Sequence, residues 1–343
     1  MKGLNNKKGF ISIMALLIMG IILISSSFLV YTSKMEYLII NSNKNNLQSY
    51  YLSEGKIYKL LYQNEYYYNE ILPRIKTYLK YGYLGEYYSN RIRMDENDLI
   101  KGDTHKTVYT SFLEEDNRKI MTFKTNSIVN GSTKEVFAKV NIIKDFYELG
   151  IPLLYSNVFN KERRQEYIEY INYIQKEIGI NQLDNDIMGI ESLDYDNIII
   201  SEDLSGRKYF EFYRNLIEYP VKHEYLNKDK FFLLIKGPTN LLIESKGNND
   251  KLILNGVIYT EGNIEINSNL DFRGILILNQ GNIYISSDSK FKLEGIILSR
   301  AYPFKNLDHE EVIEINYNDN HIKINGIYLP GYIEPKIKVL RCK

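Results

Sequence analysis

The side chains that could do chemistry are few and scattered. Four histidines, His105, His223, His309 and His321, stand alone. None falls in the H-E-x-x-H or H-x-H spacing that puts two imidazoles on one metal. His309 is followed by Glu310 and Glu311 but has no second histidine nearby. Asp184-Asn185-Asp186 opens like a calcium loop, yet Met188 takes a ligand position and no glutamate closes it. There is no G-x-S-x-G elbow, no phosphate-cradling glycine loop, and no catalytic cysteine with partners. The single cysteine, Cys342, cannot form an internal disulfide. Asp271, Arg273, Asp288 and Glu294, all in the C-terminal third, are the types that sugar-cleaving sites use. This inventory predicts no metal, no cofactor and no enzyme.

Two long features must position whatever the chain does. The first is its beginning. No charged residue occurs between Lys8 and Lys34, and Phe10 to Tyr31 supplies the roughly 20 apolar residues that a helix needs to cross a bilayer. Three readings fit this run. One is a secretory signal with a basic start (Lys2, Lys7, Lys8) and a small-residue cut site at Ser25-Ser26-Ser27. Another is a plain anchor held by its lysines. The third is a short leader cut at Gly9, with the apolar helix kept in the mature chain. After Ser27 the chain continues with Phe28, Leu29, Val30 and Tyr31, then Met35, Leu38 and Ile39. From Leu47 the larger residues recur every three or four positions through Tyr51, Glu54, Tyr58 and Leu61, the helix period. No proline precedes Pro73. A single helix from Phe10 to about Gln63 would be roughly 80 Å long, apolar all round in its first half and amphipathic in its second. A cleaved secretory signal has no reason to run into such a helix.

Lys8-Gly9-Phe10 and the apolar run resemble the leader and cleavage junction of type IV prepilins. Leu47-Gln48-Ser49-Tyr50-Tyr51-Leu52-Ser53-Glu54-Gly55-Lys56-Ile57 is similar to the A-x-Y-x-A-E-A-G box in the helix of PilX-type minor pilins. The resemblance covers about the first 60 residues. It implies cleavage after Gly9 by a prepilin peptidase, methylation of Phe10, and assembly through Phe10, Met14, Ile18, Ile22, Phe28, Leu47, Tyr51, Glu54 and Leu61. The implied partners are other pilin subunits, the inner-membrane pilus assembly platform and membrane lipid. Most major pilins carry a glutamate where Met14 stands. Its absence resembles PilX-type and general-secretion K-type minor subunits, which implies a tip, priming or sparsely inserted place.

The second feature is a repeat. Leu254-Asn255-Gly256-Val257, Phe272-Arg273-Gly274-Ile275, Leu293-Glu294-Gly295-Ile296 and Ile324-Asn325-Gly326-Ile327 share the pattern large apolar, any residue, glycine, aliphatic. The first three recur at about 20 residues, a solenoid-scale period. This predicts a short parallel β-helix, with an antiparallel sandwich as the competing arrangement. Gly256, Gly274, Gly295 and Gly326 would mark its rungs, and Ala301-Tyr302-Pro303-Phe304 would leave it as a loop. β-Helices host polysaccharide lyases and hydrolases, so a membrane-anchored or secreted β-helix that binds or cleaves surface polysaccharide is the alternative function.

Between these features lie period-two strands around Thr107–Phe112, Lys119–Lys124 and Glu135–Val140, with an Asn130-Gly131 turn. A helix is expected from Lys161, capped by Asn160, to Ile178, with Ile168, Ile171, Ile174 and Ile178 buried. Asp184 to Asp203 reads as an acidic loop. Charge is balanced, 43 basic against 43 acidic residues, so no nucleic acid partner is expected; Arg91-Ile92-Arg93 and Arg163-Arg164 read as solvated faces. The 31 tyrosines read as compositional bias rather than an adhesive surface. The expected class is α+β, with a leader (1–9), a membrane-spanning spine helix (10–63), an antiparallel α+β head (64–230) and a β-helix-like domain (231–343). In a cell it belongs in the membrane and then in an extracellular filament.

Overall fold

The computed structural model describes residues 4–86, 88–99, 103–181, 183–214, 217–247, 251–305 and 312–342. Helix α1 (Leu4–Tyr62) is 59 residues long, roughly 90 Å, and starts ahead of the Gly9-Phe10 junction. From Phe10 to Ile40 its large apolar side chains are exposed. From Asn45 onward one face is buried. A broken helical stretch follows: α2 (Asn64–Tyr66), a π-turn (Tyr67–Ile71) and α3 (Leu72–Tyr81), which ends on Gly82 at φ 81°.

The head sheet is antiparallel. Its strands β1 (Arg91–Arg93), β2 (Thr107–Glu115), β3 (Arg118–Val129) and β4 (Ser132–Ile143) lie in that order. Asn130 and Gly131 both have positive φ, 48° and 82°, the two-residue turn their types favour. Asp116-Asn117 makes a second such turn, at φ 54° and 60°. After β5 (Leu153–Tyr155) comes α4 (Lys161–Glu177), whose Arg163 N–H donates to Asn160 Oδ1 at 3.0 Å. Its buried stripe is Tyr167, Tyr170, Ile171 and Ile174, and Ile178 is also buried; Ile168 is only half-buried. The two tyrosines take the place expected of isoleucine because their hydroxyls have partners: Tyr167 OH donates to Leu154 O at 2.9 Å, and Tyr147 and Tyr170 pair at 2.9 Å.

The rest is a parallel β-solenoid. Its strands are β6 (Met188–Ser192), β7 (Asn197–Glu202), β8 (Lys208–Tyr213), β9 (Lys222–Tyr225), β10 (Phe231–Ile235), β11 (Asn240–Ile243), β12 (Lys251–Thr260), β13 (Ile264–Ile266), β14 (Asn269–Leu278), β15 (Ile283–Ile285), β16 (Phe291–Ser299) and β17 (Ile313–Asn316). The front sheet runs β17-β16-β14-β12-β10-β6 and the back sheet β15-β13-β11-β7-β8-β9. All front pairings are parallel, and β8 and β9 extend the back sheet antiparallel. The chain therefore passes from front to back four times, and the fold is α+β with a solenoid rather than a sandwich.

The aliphatic runs after Gly256, Gly274 and Gly295 are continuous because both faces of the front sheet are buried there. Ile258, Leu276 and Ile297 point into the solenoid, whereas Val257, Tyr259, Ile275 and Ile277 face the head core with Ile171 and Ile174 of α4. Before the glycines the pattern alternates on β12 and β16, and on β14 it is broken by the buried Asp271.

Three expectations need correction. Asp184 to Asp203 is not a loop, since it holds β6 and β7, so the solenoid begins near Met188 and crosses the expected boundary at 231. Gly326 is no rung glycine: Asn318 caps a helix there, α5 (Asp319–Gly326), by accepting from Asn320 and His321 N–H. The space beside Gly326 holds the Tyr332 ring. Finally, the last strand, β18 (Ile333–Cys342), leaves the solenoid and pairs antiparallel with β4, completing the head sheet. Tyr302 is exposed as a loop residue should be, but Phe304 is buried and bridges Ile283.

Candidate functional site

The spine helix meets the head along a polar seam. Asn45, Ser49, Ser53 and Lys56 recur at steps of four and three and are buried. Ser49 Oγ bonds Ser127 O and accepts from Lys134 N at 2.9 Å. Ser53 Oγ donates to Lys134 O at 3.1 Å, and Asn130 Nδ2 donates to Asn45 Oδ1 at 3.3 Å. Lys56 Nζ lies 2.6 Å from Asp103 Oδ2 and donates to Asn126 O at 2.9 Å. Small polar side chains let the helix approach the β3–β4 hairpin closely and satisfy its backbone groups. Below them Ile57, Leu60 and Leu61 enter the head core. One turn on, Lys59 pairs with Asp98, which also accepts from Tyr66 OH at 2.6 Å. The Lys59 and Tyr66 hydrogen bonds hold the Asp98 carboxyl below its ordinary range, and burial pushes the Tyr66 phenol up to about 12.

The assembly residues expected from the sequence lie elsewhere on the same helix. Gly9, Phe10, Met14, Ile18, Ile22 and Phe28 occupy the bare apolar half, where exposures run from 45% at Met14 to 65% at Phe10. Leu47, Tyr51 and Tyr58 form an exposed stripe opposite the seam, extended by Tyr62, which stacks on Tyr58 at 5.9 Å. Glu54 is half-buried and Leu61 is buried. Of the assembly residues expected in this half, Leu47 and Tyr51 are exposed, whereas Leu61 packs into the head core and cannot meet another subunit; the sequence reading missed the seam. Its signal was present as a polar stripe of helical period.

Gly256, Gly274 and Gly295 stand in register on β12, β14 and β16. Asp271, Arg273 and Glu294 share the outer front face, and each acid there is countered. Asp271 lies 2.9 Å from Lys251 and 3.4 Å from Arg273. Burial alone would raise its pKa, but these two cations hold it below the ordinary value. Glu294 pairs with Lys292 at 3.3 Å and His321 at 3.6 Å. Asp288 sits apart, beside Ser287. In the calcium-like stretch Asp186 and Asp184 both hold Lys80, at 2.9 and 3.4 Å, so an ammonium stands where a metal would. Among the described residues no three metal-ligating side chains converge; His309, Glu310 and Glu311 lie outside those residues.

One carboxyl is perturbed upward. Burial pushes Glu148 to about 7 from 4.5, with Asp145 and Asp319 adding to the shift and Arg118 and the Lys119 N–H opposing it. The unfolded chain ionises this group first, so stability falls as pH rises from about 4.5 to about 7. The loss should be about 2 kcal/mol after allowance for partial exposure. Glu148→Gln should flatten this slope in urea unfolding followed across that range; an unchanged slope assigns it to another group.

No family model matches the chain, and no curated protein matches it. Among solved structures it is similar to the crystal structure of the competence-associated pilin ComZ from Thermus thermophilus. Sequence identity is 8%, the TM-score 0.23, and the match covers 88% of this chain and 98% of that one. A score that low does not establish a shared fold.

Proposed function

We propose that this protein is a minor subunit of a type IV pilus or a related secretion or competence filament. The observation that carries the reading is the division of α1. One half is long, apolar on every side and bare of its own protein, and the other is fastened along a polar seam to an antiparallel head. A helix of that length and composition is able to cross a membrane. Once withdrawn from lipid, its apolar half needs other apolar helices around it. The prepilin peptidase would cut after Gly9 and the new amino terminus of Phe10 would be methylated. The assembly platform would then pass the helix from lipid into the filament core, with head and solenoid displayed outside. Met14 offers no carboxylate to a neighbour's amino terminus, which favours a tip or sparsely inserted position. The role is assembly rather than catalysis.

Mass spectrometry of the mature N-terminus, on protein from its native envelope, tests this. A chain starting at Phe10 supports the reading. A start near Ser27 replaces it with a secreted protein, and an intact Met1 with a plain anchor carrying a surface-binding solenoid.

Ile18→Asp separates membrane from filament. With Ile18 replaced, twelve Leu, Ile, Val and Phe residues remain from Phe10 to Tyr31. At about −0.3 to −0.6 kcal/mol each they outweigh one central aspartate at about +3 kcal/mol. The variant should still fractionate with membrane. Inside a bundle of apolar helices the carboxylate has no partner, so its yield in sheared filaments should fall at least tenfold, about 1.4 kcal/mol or more. Wild-type filament yield sinks the packing model.

A further inference from the structure

The back sheet of the solenoid carries an outward groove. Asn197 pairs with Asn240 on the next rung, and the register places Asn263 and Asn282 on the two rungs after that. Ile198, Leu241, Ile264 and Ile283, which follow these asparagines, all point inward and are buried. The four amides thus form one outward row. Consecutive members touch where the row is tightest: Asn263 Nδ2 is 3.5 Å from Asn240 Oδ1, and Asn282 N–H donates to Asn263 Oδ1 at 3.1 Å. Beside the row Ile199 and Leu242 make an apolar floor. Glu265 closes one end, and Tyr213 with Arg214 forms the wall at the other, around a cavity of about 360 Å³. Arg214 is fixed in place, its Nε donating to Asp194 O at 3.0 Å and its guanidinium lying over the Tyr195 ring.

We propose that this groove binds a neutral glycan chain. An amide carries two N–H donors and an acceptor oxygen with two lone pairs. The capacity that the contacts within the row leave over, at Asn197 and Asn240 beside the cavity, suits neighbouring hydroxyls that both give and take hydrogen bonds. Glu265 accepts from hydroxyls. The aliphatic floor and the Tyr213 ring suit the C–H faces of sugar rings. Neighbouring rungs are about 4.8 Å apart, close to the length of one sugar in an extended chain, so a row of amides reads successive residues. Other polymers fit poorly. Nucleic acid needs a run of cations, and Arg214 is the groove's single arginine. An extended peptide binds by adding to a free strand edge, whereas the cavity lies on the face of β7, β11 and β13, each paired on both sides. The volume is in the range of small-ligand sites.

The test is titration calorimetry on the full chain in detergent micelles, with cellohexaose and hexa-N-acetylchitohexaose as neutral probes and hexagalacturonate as the charged comparator. A neutral hexasaccharide should bind. Asn240→Ala and Glu265→Gln should each weaken it about tenfold, and Leu242→Arg, which fills the floor, should abolish it. Tyr58→Ala, on the spine, should leave affinity unchanged. Because these groove side chains point outward, unfolding curves should match wild type. Three results overturn the assignment: no heat with either neutral probe, affinity unmoved by the three groove variants, or binding of hexagalacturonate alone. Failure here leaves the spine helix's role untouched, and an uncut N-terminus leaves the groove untouched.

Discussion

Gly274→Ala unfolds the solenoid, and Gly274→Val does so more completely. A Cβ at 274 would lie 1.9 Å from the Gly256 carbonyl oxygen, in a backbone at φ +141°. The obstacle is the main chain of the previous rung, held in register along ten paired residues. It cannot rotate away as a side chain would. The same conflict recurs at Gly256 against Phe231 O and at Gly295 against Gly274 O, so relieving one rung pushes the next. The positive φ alone costs a non-glycine residue about 1–3 kcal/mol, and the overlap adds a backbone shift through sheets buried on both faces. A total above about 4 kcal/mol is expected, most of the stability of an ordinary domain. Far-ultraviolet circular dichroism and limited proteolysis should show strand loss and cleavage within residues 188–316. Gly55→Ala is the control of opposite sign. Nothing lies within 4 Å of that position in the exposed face of α1, and alanine favours a helix by about 1 kcal/mol. A Gly274→Ala protein that melts within about 1 kcal/mol of wild type would mean that the rungs are not held this close.

These glycines also show what could be read from sequence and what could not. A rung needs glycine where backbones meet and aliphatics where both faces are covered, and both requirements are local, so three of the four repeats were legible. The fourth carried the same letters. Ile324-Asn325-Gly326 became helical because Asn318 caps it and the Tyr332 ring needs the room beside Gly326; neither is visible from the triplet. Strand β7 was lost to its flanking acids, although Ile198, Ile199 and Ile200 sit at its centre. Strand β18 has an irregular apolar pattern with two shifts of register, and its partner β4 lies about 190 residues earlier, which no local signal names. From sequence alone the tyrosines read as compositional bias. At the junction they are structural: Tyr167 OH accepts from Ser299 N and bonds Leu154 O, tying α4 to β16 and β5. Asn263 and Asn282 are legible in two glycine-asparagine strands, at 262–266 and 281–285, whereas Asn197 and Asn240 lack the glycine, and the row of four appears only when the rungs are stacked.

Lys56→Met should cost 3–5 kcal/mol, the ordinary penalty for breaking a buried ion pair by removing one partner. The side chains of Lys56 and Asp103 are 4% and 1% exposed. Burial depresses the Lys56 pKa even though Asp103 pulls the other way, the mark of an ammonium that water barely reaches. With methionine at 56, Asp103 keeps a hydrogen bond from Ser127 Oγ at 2.8 Å but no countercharge, and the carbonyls of Asn126 and His105 lose a donor. Asp103→Leu alone strands the ammonium in the same way. The double variant Lys56→Met with Asp103→Leu leaves no buried charge and should recover a large part of the loss, giving a coupling of about 2 kcal/mol or more in a double-mutant cycle. Two single variants each costing under 1 kcal/mol, or costs that simply add, would show the pair to be incidental. The location gives the energy its meaning. Lys56 lies where the spine enters the head, seven residues past Ser49 on the same stripe, and its partner precedes β2. In the filament proposed above load would pass along the helices, and without Lys56 the polar seam would rest on serine hydroxyl bonds worth about 1 kcal/mol each, beside the apolar contacts of Ile57, Leu60 and Leu61. Opening at this point should therefore appear in the Lys56→Met protein as faster amide exchange along 45–61 than along α4, even where the solenoid stays folded.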